Sequence, residues 1–310
     1  MSRFLCDILV TGSNGLLGYS LRRCIKGEAF FAGREDADLT DFDQTIELFR
    51  RYKPRRVIHL AAEVAGIGGN NMHSGQYFRD NILINTNVLE SARQTGVEKL
   101  ISFMSTCIFP VDAPYPLNEK DLHLGPPHPS NFGYAYAKRM LEVQSSAYRK
   151  EWNCNFICAI PTNMYGPNDY WNLEEGHVLP SVIHKCYLAK QNSMPLNIWG
   201  TGTPLREFVF SDDIAHLTVE LLDFYDDSTP VIMSSGSEIS IADLVRLVAS
   251  EMSFEGPIHW DSSKPDGQLR KPSDTRKLRE LFPEFKFLSV EEGVRRTVKW
   301  FVEHYPNVRM

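Results

Sequence analysis

One short stretch constrains this chain most: an apolar run that feeds a glycine-spaced turn and then a helix pattern. Residues 7–11 read Asp7-Ile8-Leu9-Val10-Thr11, and Gly12-Ser13-Asn14-Gly15-Leu16-Leu17-Gly18 follows at once. A run this short and apolar fits a strand buried on both faces, as in a parallel sheet. Glycines three apart let the backbone turn tightly and approach a pyrophosphate at the N-terminus of the next helix. The spacing is G-x-x-G-x-x-G, not G-x-G-x-x-G, so the strand before and the helix pattern after carry the reading as a dinucleotide site.

The pattern then repeats. A second strand is expected at Ala29–Ala32, ending in Gly33-Arg34, with Glu35 and Asp36 just behind. An enzyme using NAD would place an acidic residue at that end to bind the ribose hydroxyls. Arg34 there suits a 2′-phosphate, so the expected cofactor is NADP(H). Helices at 43–52 and 76–95 alternate with strands at 57–62, 99–104 and 155–160, and a loop is expected at 66–71. This alternation predicts an α/β fold, a Rossmann-like doubly wound parallel sheet. His59, inside an apolar strand, reads as a core histidine. Beyond residue 170 the pattern loosens: a helix at 177–190, a strand at Leu196–Trp199, then a turn at 199–208 flanked by an aromatic and a cation. Ser211-Asp212, Ser240 and Ser289 are expected to start further helices, with Asp243 and Glu292 in capping-box positions. The domains expected are a dinucleotide-binding unit over 1–170 with a returning segment at about 207–238, and a smaller C-terminal unit over 171–206 and 239–310.

Composition excludes several functions. The formal charge of −6 over 310 residues offers no footprint for nucleic acid or an anionic membrane, so an anionic ligand needs a local basic site. No apolar run approaches the roughly 20 residues of a membrane-spanning helix. The first seven residues lead straight into a strand and leave no room for a signal peptide, so the cytoplasm is expected. The six cysteines, at 6, 24, 107, 154, 158 and 186, form no C-x-x-C pair and no zinc-finger spacing, so no metal is expected. All but Cys107 read as small structural hydrophobes.

The chemistry concentrates between Ser105 and Lys138. Tyr134 and Lys138 are four apart at the start of a helix pattern and therefore share a face. A phenol beside an ammonium is a poised proton donor, because the positive charge favours the phenolate left behind. Ser105, at the end of the fourth strand, can add a second hydrogen bond to the same substrate oxygen. Between them, residues 110–131 are proline-rich and read as a loop over the site.

Together the glycine turn, Ser105 and Tyr134-x-x-x-Lys138 resemble the extended short-chain dehydrogenase/reductases. Ser105-Thr106-Cys107-Ile108-Phe109-Pro110, Pro161-Thr162-Asn163, His177-Val178-Leu179-Pro180, Trp199-Gly200-x-Gly202-x-Pro204-x-Arg206 and Asp266-Gly267 resemble the GDP-L-fucose synthase family within them, over nearly the whole chain. That family catalyses 3,5-epimerisation and NADPH-dependent 4-reduction of GDP-4-keto-6-deoxy-D-mannose. The resemblance implies a reductase triad of Ser105, Tyr134 and Lys138, and an epimerase acid/base pair of Cys107 and His177. It implies GDP-sugar contacts from Lys185, Trp199, Arg206 and Asp266. Some family members carry Arg at the position of Lys185, and a Lys keeps the charge without the bidentate grip. For the cofactor it implies the whole glycine turn, Arg34, Asp38, Leu39, Leu60, Ala61, Ala62, Tyr134, Lys138, Pro161, Asn163, Met164 and His177. A homodimer through the helices at 76–95 and 134–150 is also implied, with apolar residues such as Phe78, Ile82, Leu89 and Leu141 in those helices. Two other readings stand beside it. A GDP-mannose 3,5-epimerase uses a similar set, but a lysine replaces His177 there. A non-catalytic dinucleotide sensor usually loses Tyr134 or Lys138.

Overall fold

The computed structural model describes residues 4–64, 72–264 and 266–310. The loop expected at 66–71 lies outside the described residues. Among those described, six parallel strands form the main sheet: β1 (Cys6–Thr11), β2 (Ala29–Ala32), β3 (Pro54–His59), β4 (Lys99–Phe103), β5 (Phe156–Pro161) and β9 (Val231–Met233), in the order β2-β1-β3-β4-β5-β9. The order reverses between β1 and β3, the topological switch point at which open parallel sheets bind ligands. Helices α1 (Leu16–Cys24), α2 (Phe42–Tyr52), α3 (Ser74–Thr95) and α4 (Phe132–Trp152) connect the strands. β4 and β5 are buried throughout, as their unbroken apolar character requires.

Local chemistry sets the boundaries. Asp41 caps α2 by accepting the Gln44 amide, and Lys53 ends it in a left-handed conformation with φ 41°. α3 stops at Gly96, φ 72°, where a side chain would be strained. β3 starts and ends three residues earlier than the sequence suggested, at Pro54 and His59. It pairs with β1 only as far as Thr11, because Gly12 turns the chain away.

The C-terminal elements are α5 (Val178–Gln191), α6 (Ser211–Phe224), α7 (Ile241–Glu251), α8 (Arg276–Leu281) and α9 (Val290–His304). A second sheet pairs β8 (Leu205–Phe210) with β6 (Asn163–Tyr165) and β10 (Glu238–Ser240), and a third pairs β7 (Leu196–Trp199) with β11 (Ile258–Asp261). Apart from β7, these strands were missed in the sequence. β6, β9 and β10 have three residues each, too few to display a period of two. β8 sits within the stretch expected to be a turn: Gly200 and Gly202 do turn, but the strand begins directly after them. Ser240 and Ser289 cap α7 and α9 through the amides of Asp243 and Glu292. Ser211 does not cap α6. It is the first helical residue, buried, and takes a 2.9 Å hydrogen bond from Ser20 of α1, so it joins α6 to α1 instead.

Three apolar clusters follow. Two cover opposite faces of the main sheet, around Leu9, Val57 and Leu100 on one side and Val10, Ile58 and Ile101 on the other. The third, around Trp171, Ile183, Phe208 and Phe301, joins α5, α7 and α9.

Candidate active site

The glycine turn leaves β1 at the switch point. A side-chain carbon on Gly12 would lie 2.5 Å from the Ala61 nitrogen, and one on Gly18 would lie 2.2 Å from the Ser13 carbonyl oxygen. Neither can be replaced without moving backbone. Gly15 differs: its nearest neighbours, the Gly12 carbonyl oxygen and Arg309 Nη1, would stand at 3.4 and 3.6 Å, ordinary contact distances, so a side chain there meets no backbone clash. The close approach of Gly12 to Leu60 and Ala61, with the α1 N-terminus directly after the turn, suits a pyrophosphate bound against backbone amides. Leu17 and Ser13 are buried, so they contribute backbone rather than side chain to such a site.

At the end of β2, the Arg34 side chain is 85% exposed and pairs with Glu63, in the loop after β3. Glu35 turns back to accept from Asn14 Nδ2 at 3.2 and 3.3 Å. Asp38 is held in a local turn with Thr40, while the Leu39 side chain packs on the core. His59 is fully buried and hydrogen-bonds Thr11 at 2.8 Å and Asn85 at 3.1 Å. Burial pushes its pKa down to about 3, with Lys138 adding to the effect, so it stays neutral as a core histidine.

β4 delivers the reactive segment. Ser105 accepts the Cys107 amide at 3.4 Å and starts a short 3₁₀ turn over residues 106–108. Lys138, 2% exposed, reaches up from α4 and donates to the Phe103 carbonyl at 2.9 Å. Ser105 is two residues beyond that carbonyl, so the strand end and the helix face meet there. Burial lowers the Lys138 pKa to about 8. The Tyr134 phenol is pushed up by burial and by the nearby Cys107, and therefore keeps its proton at neutral pH. Burial also pushes the Cys107 thiol up, opposed by Ser105, Lys271 and Lys138. Arg139, one residue on, holds the frame by donating to the carbonyls of Ile108 and Gly125.

His177 is the exposed residue that precedes the first turn of α5. The protein around it disfavours the imidazolium, and Arg309 adds to that, so the ring is shifted towards its neutral form. Asn163 donates to the Glu207 carbonyl at 2.7 Å, tying β6 to β8. Residues 110–131 form the expected loop, interrupted by 3₁₀ turns at Glu119–Asp121 and Pro129–Asn131 and anchored in its middle. Glu119 accepts the Ile232 amide at 3.1 Å, and Leu117 exchanges backbone hydrogen bonds with Pro272 and Asp274.

Trp199, 50% exposed, carries Lys185 at 4.7 Å and Lys264 at 5.4 Å from its ring centroid. Arg206 faces the same cleft near Asp266 and Tyr115. Asp266 accepts both the Thr201 amide, at 2.7 Å, and the Thr201 hydroxyl, at 2.8 Å, so it buckles the Gly200 turn. Two residues that sequence reasoning missed belong here. Lys264 completes the cation pair on Trp199. Among the described residues Lys271 makes no ion pair and lies near enough to Cys107 and Arg206 to feel the charge of both, whereas its neighbour Arg270 is taken by Glu238. The signal was present: two adjacent cations in a loop, of which only one finds a carboxylate.

The arrangement brings together a glycine turn at a helix N-terminus, a Ser/Tyr/Lys cluster with a thiol, and an aromatic ring flanked by cations. The NAD dependent epimerase/dehydratase family model matches residues 8–234. GDP-L-fucose synthase of Dictyostelium discoideum is 43% identical over 97% of each chain. The chain belongs to that epimerase/dehydratase family, within its GDP-L-fucose synthase branch. The probable GDP-L-fucose synthase of Drosophila melanogaster is 40% identical, over 97% of this chain and 99% of its own. The crystal structure of a GDP-L-fucose synthetase from Naegleria fowleri bound to NADP superposes with a TM-score of 0.94. It is 39% identical and covers 98% of this chain and 95% of that one. Among the described residues no group of His, Cys, Asp and Glu side chains could hold a metal ion. No helix there is long and apolar enough to cross a membrane.

Proposed function

We propose that this protein converts GDP-4-keto-6-deoxy-D-mannose to GDP-L-fucose with NADPH, by epimerisation at C3 and C5 and reduction at C4. The observation that carries the reading is the meeting of Ser105, Cys107, Tyr134 and Lys138 at the end of β4, facing the cations of the nucleotide shelf. A C4 ketone acidifies the hydrogens at C3 and C5. Removal of either puts charge on the C4 oxygen, which Tyr134 and Ser105 stabilise as an oxyanion hole does. NADPH held on the glycine turn would supply the hydride that C4 takes up. Charge then develops on the same oxygen, so one polarising pair serves both reactions, and Tyr134 protonates the alkoxide. Cys107 and His177 exchange protons at C3 and C5. Trp199 receives the guanine, and Lys185, Arg206, Lys264 and Lys271 balance the diphosphate charge.

Incubation with the 4-keto sugar and NADPH, followed by product analysis, tests the whole reading. GDP-L-fucose with consumption of NADPH supports it. Epimerised sugar with no net NADPH use would indicate a pure epimerase, and no turnover with intact NADPH binding would indicate a sensor.

Arg34 is assigned to the 2′-phosphate, and its bond to Glu63 is the competitor. Arg34→Ala is expected to weaken NADPH binding about tenfold and NADH binding little, since one charge-assisted phosphate contact is lost. Glu63→Gln is expected to tighten NADPH binding. Equal losses for NADPH and NADH in a titration would reject the assignment.

The chain is also proposed to act as a homodimer in the cytoplasm, docking through α3 and α4. Leu89 and Leu141 are fully buried in the core and cannot contribute, whereas Phe78, Leu83, Phe132 and Val143 are exposed on those helices. Leu83→Glu with Val143→Glu is expected to shift the sedimenting species to monomer, and a parent protein that sediments as monomer at micromolar concentration would reject the dimer.

A further inference from the structure

The C-terminal segment returns a cation to the glycine turn. Arg309 is fixed by its carbonyl, which accepts the Trp171 amide at 2.9 Å. Its Nη1 donates to the carbonyls of Asn14, at 3.4 Å, and Asn168, at 3.3 Å. Asn168 in turn donates its side-chain amide to the Asn14 carbonyl at 3.2 Å, so both groups grip the turn between Gly12 and Gly15. A side-chain carbon on Gly15 would stand 3.6 Å from Arg309 Nη1, so the guanidinium lies against that glycine at the helix N-terminus. Among the described residues, Nε and Nη2 find no hydrogen-bond partner.

This location is electrostatically unfavourable by itself. The N-terminus of α1 carries a partial positive charge, and its first turn holds no acidic residue to offset a cation. The carboxyl whose charge acts on Arg309, Asp169, is 3% exposed and accepts the Tyr170 amide at 2.8 Å, leaving Oδ2 without a partner among the described residues. Burial pushes the pKa of that carboxyl up to about 7, against the pull of Arg309, so at neutral pH it is only partly ionised. A guanidinium with two idle donor nitrogens, beside a helix N-terminus with idle amides, becomes complementary to its surroundings when an anion lies between them.

We propose that Arg309 binds the pyrophosphate of the dinucleotide cofactor, closing over the glycine turn from the far end of the chain. The inference rests on the NADPH reading above. It differs from a purely structural pin, because a pin would affect all ligands of this half of the molecule alike.

Calorimetric titration of the parent protein, Arg309→Ala and Arg309→Lys with NADPH, with adenosine 2′-monophosphate and with GDP separates the possibilities. Adenosine 2′-monophosphate keeps the adenosine and the 2′-phosphate but lacks the pyrophosphate. Arg309→Ala is expected to weaken NADPH about 10- to 100-fold, the effect of losing a hydrogen-bonded charge. Arg309→Lys should fall between, with adenosine 2′-monophosphate and GDP bound nearly as in the parent. Unchanged NADPH affinity overturns the inference. Equal weakening of NADPH and adenosine 2′-monophosphate, in Arg309→Lys as well as Arg309→Ala, also overturns it, since Arg309 then only shapes the turn. Failure of the parent protein to bind NADPH would remove the cofactor reading, and the inference with it.

Discussion

Tyr134→Phe is expected to lower 4-keto reduction by about 10²- to 10⁴-fold, the usual contribution of a positioned proton donor. Burial keeps the phenol protonated at neutral pH. GDP binding should survive, because Trp199, Arg206 and the lysines around them lie on other elements. The pH profile carries a second signature. Lys138 has its pKa lowered to about 8, so its ammonium is present below that value and lost above it. The reduction rate of the parent enzyme should therefore fall as pH rises through about 8, as the charge that favours the phenolate disappears. A Tyr134→Phe variant that reduces the ketone within tenfold of the parent would place the donor elsewhere.

The second large effect is on epimerisation. Cys107→Ser keeps the size of the side chain but substitutes a hydroxyl, which is a far weaker acid than a thiol. Deuterium from solvent should then stop entering C3 and C5, with a loss of about 10²-fold or more, while Ser105, Tyr134 and Lys138 stay in place. Reduction of the unepimerised ketone should continue and yield a 6-deoxyhexose of the original configuration. His177→Gln should split the outcome differently, allowing exchange on the face served by Cys107 but no inversion. Incorporation at both carbons at the parent rate in Cys107→Ser would rule out the thiol.

Much of this architecture was written locally in the chain. The first four strands of the main sheet, the glycine turn and helices α2 to α4 announce themselves through apolar runs, side-chain caps and glycines. Ala29–Ala32 and Leu196–Trp199 matched to the residue, because each run is bounded by turn formers on both sides. What stayed hidden depends on partners far away in sequence. The three-residue strands β6, β9 and β10 exist only because β5 and β8 offer them edges. Ser211 looked like a cap but serves as a contact, since Ser20 meets it across 191 residues. Within the site, the Ser/Tyr/Lys cluster was legible from spacing. Lys264 and Arg309 were not, because a lone cation in a loop reads as solvated until the fold shows what it faces, and Lys271 stood out only as the unpaired one of two adjacent cations. Arg34 was legible as a cation at the end of β2, yet its bond to Glu63 comes from the loop after β3.

The main sheet also fixes an order of events during synthesis. Its sixth strand, Val231–Met233, and the helix α6 that seals α1 emerge long after β5. Until then a nascent chain holds β5 as a bare edge, flanked by unfilled apolar faces, which is the kind of surface that pairs with other chains. The intervening residues, from β6 to β8, must therefore be released before the cofactor half can finish. An N-terminal fragment ending near residue 200 would carry the whole glycine turn and the Tyr134 helix, and still be an aggregation-prone intermediate.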